Sequence, residues 1–242
     1  RSFDDLLRVN HAPGESRLGG DLPLRAAFLD GASGSPPAID VLWTARRGER
    51  TTVKISRSGD GGRTFAAPRE LQAPGAAGDR GWPALAVDRS GPSHAIWLDH
   101  RGLATAGDAP HHGHDGVAMA QRSALYYAPG AGARMEREVA TGVCYCCKTA
   151  LAATTGGSLI AAWRHVYPGN LRDIAYAVSS DGGRTFTAPR RVREGRWRRE
   201  GWPMDGYGTA AAPFPRRCAT LRGARGVHRR ALRRRRSVRR RR

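Results

Sequence analysis

Short apolar segments, each centred on a tryptophan, recur along the chain and predict the strands of a repeated sheet. The tryptophans are Trp43, Trp97 and Trp163. Each follows another apolar run and a turn, and each precedes a loop and two further segments that suit half-buried strands. Each unit is therefore predicted to form one antiparallel sheet of four short strands. The units span residues 22–70, 82–140 and 147–193, and a further unit begins at Trp202.

One octapeptide occurs in the first and the third unit and predicts the same tight turn in both. Residues 58–65 read Ser-Gly-Asp-Gly-Gly-Arg-Thr-Phe, and residues 179–186 read Ser-Ser-Asp-Gly-Gly-Arg-Thr-Phe. Glycine permits positive φ angles and an Asp side chain accepts bonds from nearby backbone N–H groups, so the string ends one strand and starts the next. The middle unit lacks this string, and residues 121–127 are expected in its place. The structural residues of the turns are predicted to be Ser58, Asp60, Gly62, Thr64 and Phe65, and Ser179, Asp181, Gly183, Thr185 and Phe186.

The pattern Ser-x-Asp-x-Gly-x-Thr-Phe resembles the Asp box, or BNR repeat, of sialidases and related β-propellers. The resemblance implies an all-β fold, a sialidase-like propeller of four-stranded antiparallel blades, in which the box joins the third and fourth strands of a blade. A closed propeller of this family has six blades, and about three and a half fit into 242 residues. We therefore expect residues 1–206 to form an incomplete propeller.

The C-terminal end of the chain is different in composition. Residues 216–242 contain 14 arginines and no acidic residue, and they supply most of the formal net charge of +20. Such a segment has too few apolar residues to pack, so residues 207–242 are expected to be a disordered basic tail. A nucleic-acid anchor is one interpretation. We favour a frameshifted segment because the blade pattern stops within a unit, so nucleic-acid binding by the tail is not expected to be physiological.

The location of the protein is predicted only indirectly. No run of 18 apolar residues occurs in the sequence, so no membrane-spanning helix is expected. The chain begins with Arg1 and carries no visible signal peptide, which is expected of an internal fragment. A structural disulfide would fit an exported protein, secreted or periplasmic.

Blade topology places the polar loops on one rim. Loops that join strands 2 to 3 and strands 4 to 1 open on one face of a propeller, and the two repeated turns open on the other. The resemblance implies that a sialidase uses an arginine triad to clamp a substrate carboxylate, an Asp as acid and base, and a Tyr activated by a Glu. By position the arginine candidates are Arg46, Arg101, Arg164 and Arg172, the acid–base candidate is Asp99, and Tyr167 lies on the same rim. The family's Arg-Ile-Pro signature is not found, and no Glu is placed beside Tyr167.

Histidines and cysteines are predicted to lie in different loops of the same rim. His111, His112 and His114 could bind a metal, alone or with Cys144 and Cys146, because imidazole and thiolate groups are ligands for zinc and copper. An exposed glycine-rich loop is the alternative, and no other cofactor is expected.

Residues 144–147 read Cys-Tyr-Cys-Cys, similar to strings in some bacterial sialidase-like propellers. If this segment is extended, alternation sends Cys144 and Cys146 to one side and Cys147 to the other. A disulfide to a neighbouring blade, a soft-metal or redox site and buried thiols all remain open; Cys218 lies in the tail.

Three classes of function follow from these features. The first is a glycan-directed glycoside hydrolase of sialidase type, or a fragment of one. The second is a non-catalytic propeller that binds glycan, glycoconjugate or protein on its polar rim. The third is an exported metal or redox propeller that uses the His and Cys loops. The fold resemblance does not choose between them, because the same box occurs in propellers that hydrolyse nothing.

Overall fold

The computed structural model describes residues 6–16, 24–30, 34–48, 50–89, 91–104, 116–131 and 136–193. Several sequence-based predictions fall outside these residues. They are the further unit at Trp202, the tail at residues 207–242, Cys218, and the metal candidates His111, His112 and His114.

The described residues form three consecutive four-stranded antiparallel sheets. Two short helices, α1 (Arg101–Ala104) and α2 (Gly116–Gln121), lie between β6 and β7. The predicted fold class, an all-β propeller of four-stranded antiparallel blades, is confirmed for the described residues. The strands are β1 (Arg25–Leu29), β2 (Ala38–Arg47), β3 (Arg50–Ser58) and β4 (Arg69–Glu70) in the first sheet, β5 (Arg80–Val87), β6 (Ser93–Asp99), β7 (Ala124–Pro129) and β8 (Arg137–Thr141) in the second, and β9 (Ala150–Ala153), β10 (Leu159–Tyr167), β11 (Leu171–Ser179) and β12 (Arg190–Arg191) in the third.

Apolar layers hold neighbouring sheets together. The first strands lie side by side, β1 against β5 and β5 against β9. Successive residues of β6 face opposite neighbours: Trp97 packs into the layer shared with the first sheet, whereas Ile96 and Leu98 pack into the layer shared with the third. Trp163 occupies the corresponding place in the third sheet and faces the second. Trp97 and Trp163 therefore each fill the space between their own blade and the preceding one.

The repeated turn lies between the third and fourth strands in both sheets that contain it, β3–β4 and β11–β12. In the first copy the Ser58 hydroxyl donates to Asp60 Oδ1 at 2.7 Å and accepts from the Gly62 N–H at 2.8 Å. The Thr64 N–H donates to Asp60 Oδ1 at 2.9 Å, and its hydroxyl donates to Oδ2 at 2.6 Å. These bonds, first those from Thr64 and then that from Ser58, hold the pKa of Asp60 well below its usual range.

The second copy reproduces the first bond for bond. Asp181 accepts from Ser179 Oγ at 2.7 Å, from Thr185 N at 2.9 Å and from Thr185 Oγ1 at 2.6 Å. The pKa of Asp181 is lowered for the same reasons. The repeated string thus specifies one closed network of side-chain and backbone hydrogen bonds, and Phe186 from its end packs on Tyr127 of the second sheet with ring centroids 5.3 Å apart.

One placement in the middle unit is wrong. Residues 121–127 do not replace the repeated turn, because Gln121 ends α2 and residues 124–127 belong to β7, the third strand. The connection between the third and fourth strands of this sheet runs through residues 130–136. The helical insertion after β6 lengthens the middle unit and shifts its third strand along the sequence.

Neither α1 nor α2, with 4 and 6 residues, could span a membrane, and no other described helix could.

Candidate functional site

The loops predicted to share a rim are in contact with one another. The turn after β8 pairs with the end of β10, since Cys144 N donates to Arg164 O at 2.9 Å and Val166 N donates to Gly142 O at 2.8 Å. Helix α2 reaches the same point through Gln121 Nε2, which donates to Val166 O at 3.4 Å. In the adjoining sheet, His100 N donates to Asp79 O at 2.9 Å. One end of the sheets therefore gathers connections from two neighbouring blades.

A buried ionic network centred on Asp99 lies at this end. The carboxylate accepts five hydrogen bonds. Its donors are Arg80 Nε at 3.0 Å and Trp97 Nε1 at 3.2 Å on Oδ2, Arg101 N at 3.0 Å and Arg101 Nε at 2.8 Å on Oδ1, and a terminal Arg101 nitrogen at 2.8 Å on Oδ2. Burial alone would raise the pKa of Asp99, but the bonds from Arg101 and the charges of Arg80 and Arg101 outweigh it and lower the pKa.

Arg80 and Arg101 connect this carboxylate to the rest of the rim. The side chain of Arg80 is wholly buried and also donates to Thr51 O in β3 and to the carbonyls of Ala77 and Gly78. Arg101 forms a second ion pair with Glu136 at 2.9 Å and lies 4.1 Å above the ring of Tyr126. The network thus ties the first two blades together, and it engages Arg101 fully.

The ring of His165 and the guanidinium of Arg191 both contact the ring of Tyr167 at the end of β10. The His165 ring lies 4.4 Å from the Tyr167 ring, and the Arg191 guanidinium lies 3.8 Å above it on the other strand edge. Burial raises the pKa of Tyr167, and Arg191 partly opposes this. Burial also lowers the pKa of His165 to about 4, and the charge of Arg191 adds to this effect. Trp163 Nε1 donates to His165 Nδ1 at 3.4 Å, which requires the neutral ring.

The cysteine segment is a turn and not an extended strand, so the predicted alternation of its side chains is wrong. Cys147 N donates to Cys144 O at 3.2 Å, and a disulfide joins Cys144 to Cys147 with 5.5 Å between their Cα atoms. Of the alternatives left open by the sequence, a disulfide is present, but it lies within this turn and does not join a neighbouring blade. A terminal nitrogen of Arg164 lies 3.8 Å from Cys147 Sγ. All three cysteine sulfurs lie within 4.8 Å of one another.

The predicted site residues therefore fall into separate groups. Asp99 and Arg101 are in direct contact, and so are Arg164 and the cysteine turn. Arg46 is exposed in the first sheet, where its Nε donates to Gly48 O at 3.0 Å, and no described contact joins it to either group. Arg172 is buried, and its Nε donates to Asn170 Oδ1 at 3.1 Å. The described arginines thus do not form one cluster around an open space.

Aromatic side chains border the middle of this rim. The ring of His100 lies 6.4 Å from that of Trp82 and 6.2 Å from that of Tyr145. Trp82 sits at an irregularity in the pairing of β5 with β6 and has a φ of 48°, which is unusual for a non-glycine residue. Thr149 Oγ1 donates to Trp82 O at 2.7 Å from the third sheet and helps to hold this conformation. Trp82 and Tyr145 remain partly exposed.

Sequence reasoning missed four participants of the rim. Arg80 and Glu136 pair with the predicted residues Asp99 and Arg101, and His165 and Arg191 flank Tyr167. Arg80 stands directly before the Gly-Trp-Pro that begins the second unit, so the sequence indicates its place at the start of a first strand but not its partner. The sequence around Glu136 and Arg191 does not indicate their roles, because only the pairing of strands brings these residues to their partners.

A hollow of about 320 Å³ opens at the opposite end of the sheets. It lies where the first strands of the three blades end, and its lining includes Leu29, Val87 and Ala153. The polar residues Asp30, Asp88 and Arg89 border it. None of the predicted rim residues contributes to this hollow.

Comparison with known proteins gives similarity in structure only. No family model and no curated protein matches the sequence. The structure is similar to a Hadza microbial sialidase, with 18% identity and a TM-score of 0.48 over 69% of this chain and 38% of that one. It is also similar to a Dyadobacter fermentans protein of unknown function (12% identity, TM-score 0.44, 74% and 58%) and to the Penicillium chrysogenum α-L-arabinanase complexed with arabinobiose (10%, 0.39, 68% and 44%). The chain spans between 38% and 58% of the length of these proteins.

Proposed function

We propose that this chain is part of a glycan-directed propeller of the sialidase superfamily, and that its rim binds carbohydrate without supplying the acid for hydrolysis. The observation that carries the second part is the state of the Asp99 carboxylate. A general acid must hold a proton at the working pH and reach the leaving oxygen. Asp99 has the opposite properties, because its pKa is lowered and five donors occupy its oxygens.

The first part rests on the repeated turn and on the aromatic rings of the rim. The two turns share the same set of Ser, Asp and Thr hydrogen bonds, which supports the Asp-box resemblance of their sequence. Trp82 and Tyr145 offer partly exposed rings of the kind that pack against the apolar faces of sugars. The φ of Trp82 supports a functional role, since strained backbone conformations concentrate at binding sites and cost of order 1–3 kcal/mol.

A clamp for an acidic sugar receives less support. The resemblance assigns this task to three converging arginines, but of the four candidates only Arg46 is exposed, while Arg164 and Arg172 are buried. We therefore propose neutral oligosaccharides as the preferred ligands of this part of the propeller. The Cys144–Cys147 disulfide supports export to the periplasm or outside the cell, where disulfides persist.

The test combines a binding and a hydrolysis measurement on the full chain. Neutral and sialylated oligosaccharides are titrated by calorimetry into the wild type, Trp82→Ala, Tyr145→Ala and Phe28→Ala. Phe28 is the matched control, because it is an exposed aromatic residue at the other end of the sheets. We expect each of the first two substitutions to weaken binding about tenfold, which corresponds to a loss of roughly 1.4 kcal/mol of contact between the ring and the sugar. Phe28→Ala is expected to bind like the wild type.

Two results would contradict the proposal in different ways. Equal losses of affinity in all three variants, or no binding of any oligosaccharide, would contradict the proposal that Trp82 and Tyr145 bind carbohydrate. Cleavage of a fluorogenic sialoside by the wild type would instead contradict the non-catalytic assignment. Only a loss of this cleavage in an Asp99→Ala variant that is shown to be folded would return Asp99 to the role of acid and base.

A further inference from the structure

Three cysteine sulfurs converge in the turn between β8 and β9. Cys144 Sγ lies 3.9 Å from Cys146 Sγ, and all three Sγ atoms lie within 4.8 Å of one another. Backbone bonds fix the turn, since Cys147 N donates to Cys144 O and Cys144 N donates to Arg164 O. The sulfurs are therefore held together by the fold as well as by the Cys144–Cys147 disulfide.

One of these separations matches that of sulfurs bound to one metal ion, and reduction of the disulfide would free the Cys144 and Cys147 sulfurs to move apart. A thiolate lies about 2.3 Å from such an ion, so three sulfurs in a plane around it are about 4.0 Å apart. The Cys144–Cys146 separation of 3.9 Å already fits this geometry. In the described part of the chain, the candidate metal group consists of these cysteines alone, with no imidazole or carboxylate.

A buried cation and apolar side chains border the turn. The guanidinium of Arg164 is buried and lies 3.8 Å from Cys147 Sγ, so its charge would offset part of the negative charge of three thiolates around an ion. Ala120 of α2 and Val166 of β10 cover the sulfurs with apolar surface. Cys146 is partly exposed, so one side of the cluster remains open to an arriving ion.

We propose that the reduced turn binds one Cu(I) ion through the thiolates of Cys144, Cys146 and Cys147. Soft thiolates select Cu(I) and zinc, but structural zinc is almost always four-coordinate, whereas this group offers three sulfurs. A dithiol reductant first supplies two electrons and two protons to the Cys144–Cys147 disulfide, which gives two thiols. The three thiols then release their protons as the ion binds, and Cu(I) keeps its oxidation state.

The experiment uses the full chain under anaerobic conditions. The protein is reduced with a dithiol, freed of the reductant and titrated with Cu(I) against a chromophoric Cu(I) chelator. The wild type is expected to take up one ion, and Cys144→Ser, Cys146→Ser and Cys147→Ser are each expected to bind at least about tenfold more weakly, the lower end of what even an outer-shell change costs. Cys218→Ser is the matched control, because it removes a thiol outside the turn and is expected to bind like the wild type.

Two further measurements keep the proposal falsifiable if a serine variant does not fold. The oxidised wild type is expected to bind no Cu(I) until a dithiol is added, and equally tight binding by the oxidised chain would overturn the proposal. X-ray absorption of the loaded wild type is expected to show three sulfur neighbours. A nitrogen neighbour, only two sulfurs, or an unchanged affinity in Cys146→Ser would overturn it as well. Loss of carbohydrate binding leaves all of these measurements unaffected, because Trp82 is not a ligand.

Discussion

Arg80 Nε donates to Asp99 Oδ2 at 3.0 Å, and both side chains are wholly buried. The pair connects the first strand of the second blade to its second strand, and Arg80 extends the connection to Thr51 in the first blade. Transfer of two charges from water into the protein interior costs free energy, and the attraction between the two charges must offset this desolvation penalty. Each buried charge is therefore stable only in the presence of its counter-charge. The hydrophobic pattern of either strand does not reveal this pairing, because the two residues lie on different strands.

Replacement of Asp99 by Asn is expected to destabilise the chain by about 3–5 kcal/mol, because it leaves the buried charge of Arg80 without its counter-charge. Urea unfolding followed by tryptophan fluorescence measures the change. This result would also explain a loss of any activity in Asp99→Ala without a catalytic role for the carboxylate.

The matched control is Glu70→Gln. Glu70 pairs with Arg50 at 3.2 Å, but both side chains are substantially exposed, at 29% and 43%. An exposed pair contributes about 0–1 kcal/mol because water and salt screen it. Similar losses in Asp99→Asn and Glu70→Gln would show that the Arg80–Asp99 pair is not the anchor described above.

The stability of the third blade is expected to fall between pH 6.5 and pH 4 because of His165. Its pKa is about 4 in the folded chain, whereas an unfolded histidine titrates near 6.5. The unfolded state therefore takes up a proton that the folded state refuses, so the contribution is complete above pH 6.5 and is lost as the pH falls through 4. The loss of stability approaches an upper limit of about 3–4 kcal/mol below pH 4.

The pH prediction is tested by urea unfolding at pH 8, 6 and 5 in the wild type and in His165→Gln. The variant is expected to be less stable at pH 8, because it lacks the bond from Trp163 and the contact with Tyr167. Its stability is expected to fall less between pH 8 and 5 than that of the wild type. Parallel curves for the two proteins would contradict the assigned pKa.

Much of the fold could be predicted because it is encoded locally. Trp43, Trp97 and Trp163 mark the second strand of each sheet, and the repeated octapeptide carries all the atoms that close its own turn. These signals lie within one blade and recur, so a single sequence reveals them. The insertion of α2 in the middle unit left no such signal, and it led to the misplacement of residues 121–127.

The candidate site was less predictable because its contacts join distant segments. Asp99 and Arg101 are two residues apart and were both identified, yet Arg80 and Glu136 decide their state and come from other strands. The cysteines show the same limit in a shorter segment. Cys144 and Cys147 have the C-x-x-C spacing that allows a local disulfide, but an assumption of extended backbone concealed it.

Two adjacent glycines of the second repeated turn allow the cost of backbone strain to be measured separately from the cost of disturbed packing between blades. Gly182 and Gly183 have φ angles of 70° and 85°, so alanine is strained at both positions. A Cβ at Gly182 would meet nothing within 4 Å, whereas one at Gly183 would overlap the Tyr127 ring of the second blade. We expect Gly182→Ala to cost about 1–2 kcal/mol and Gly183→Ala to cost about 1–3 kcal/mol more, the usual range for an overpacked core. Thermal or urea unfolding measures the difference, and equal losses would mean that Tyr127 moves aside freely and that the turn does not brace the second blade.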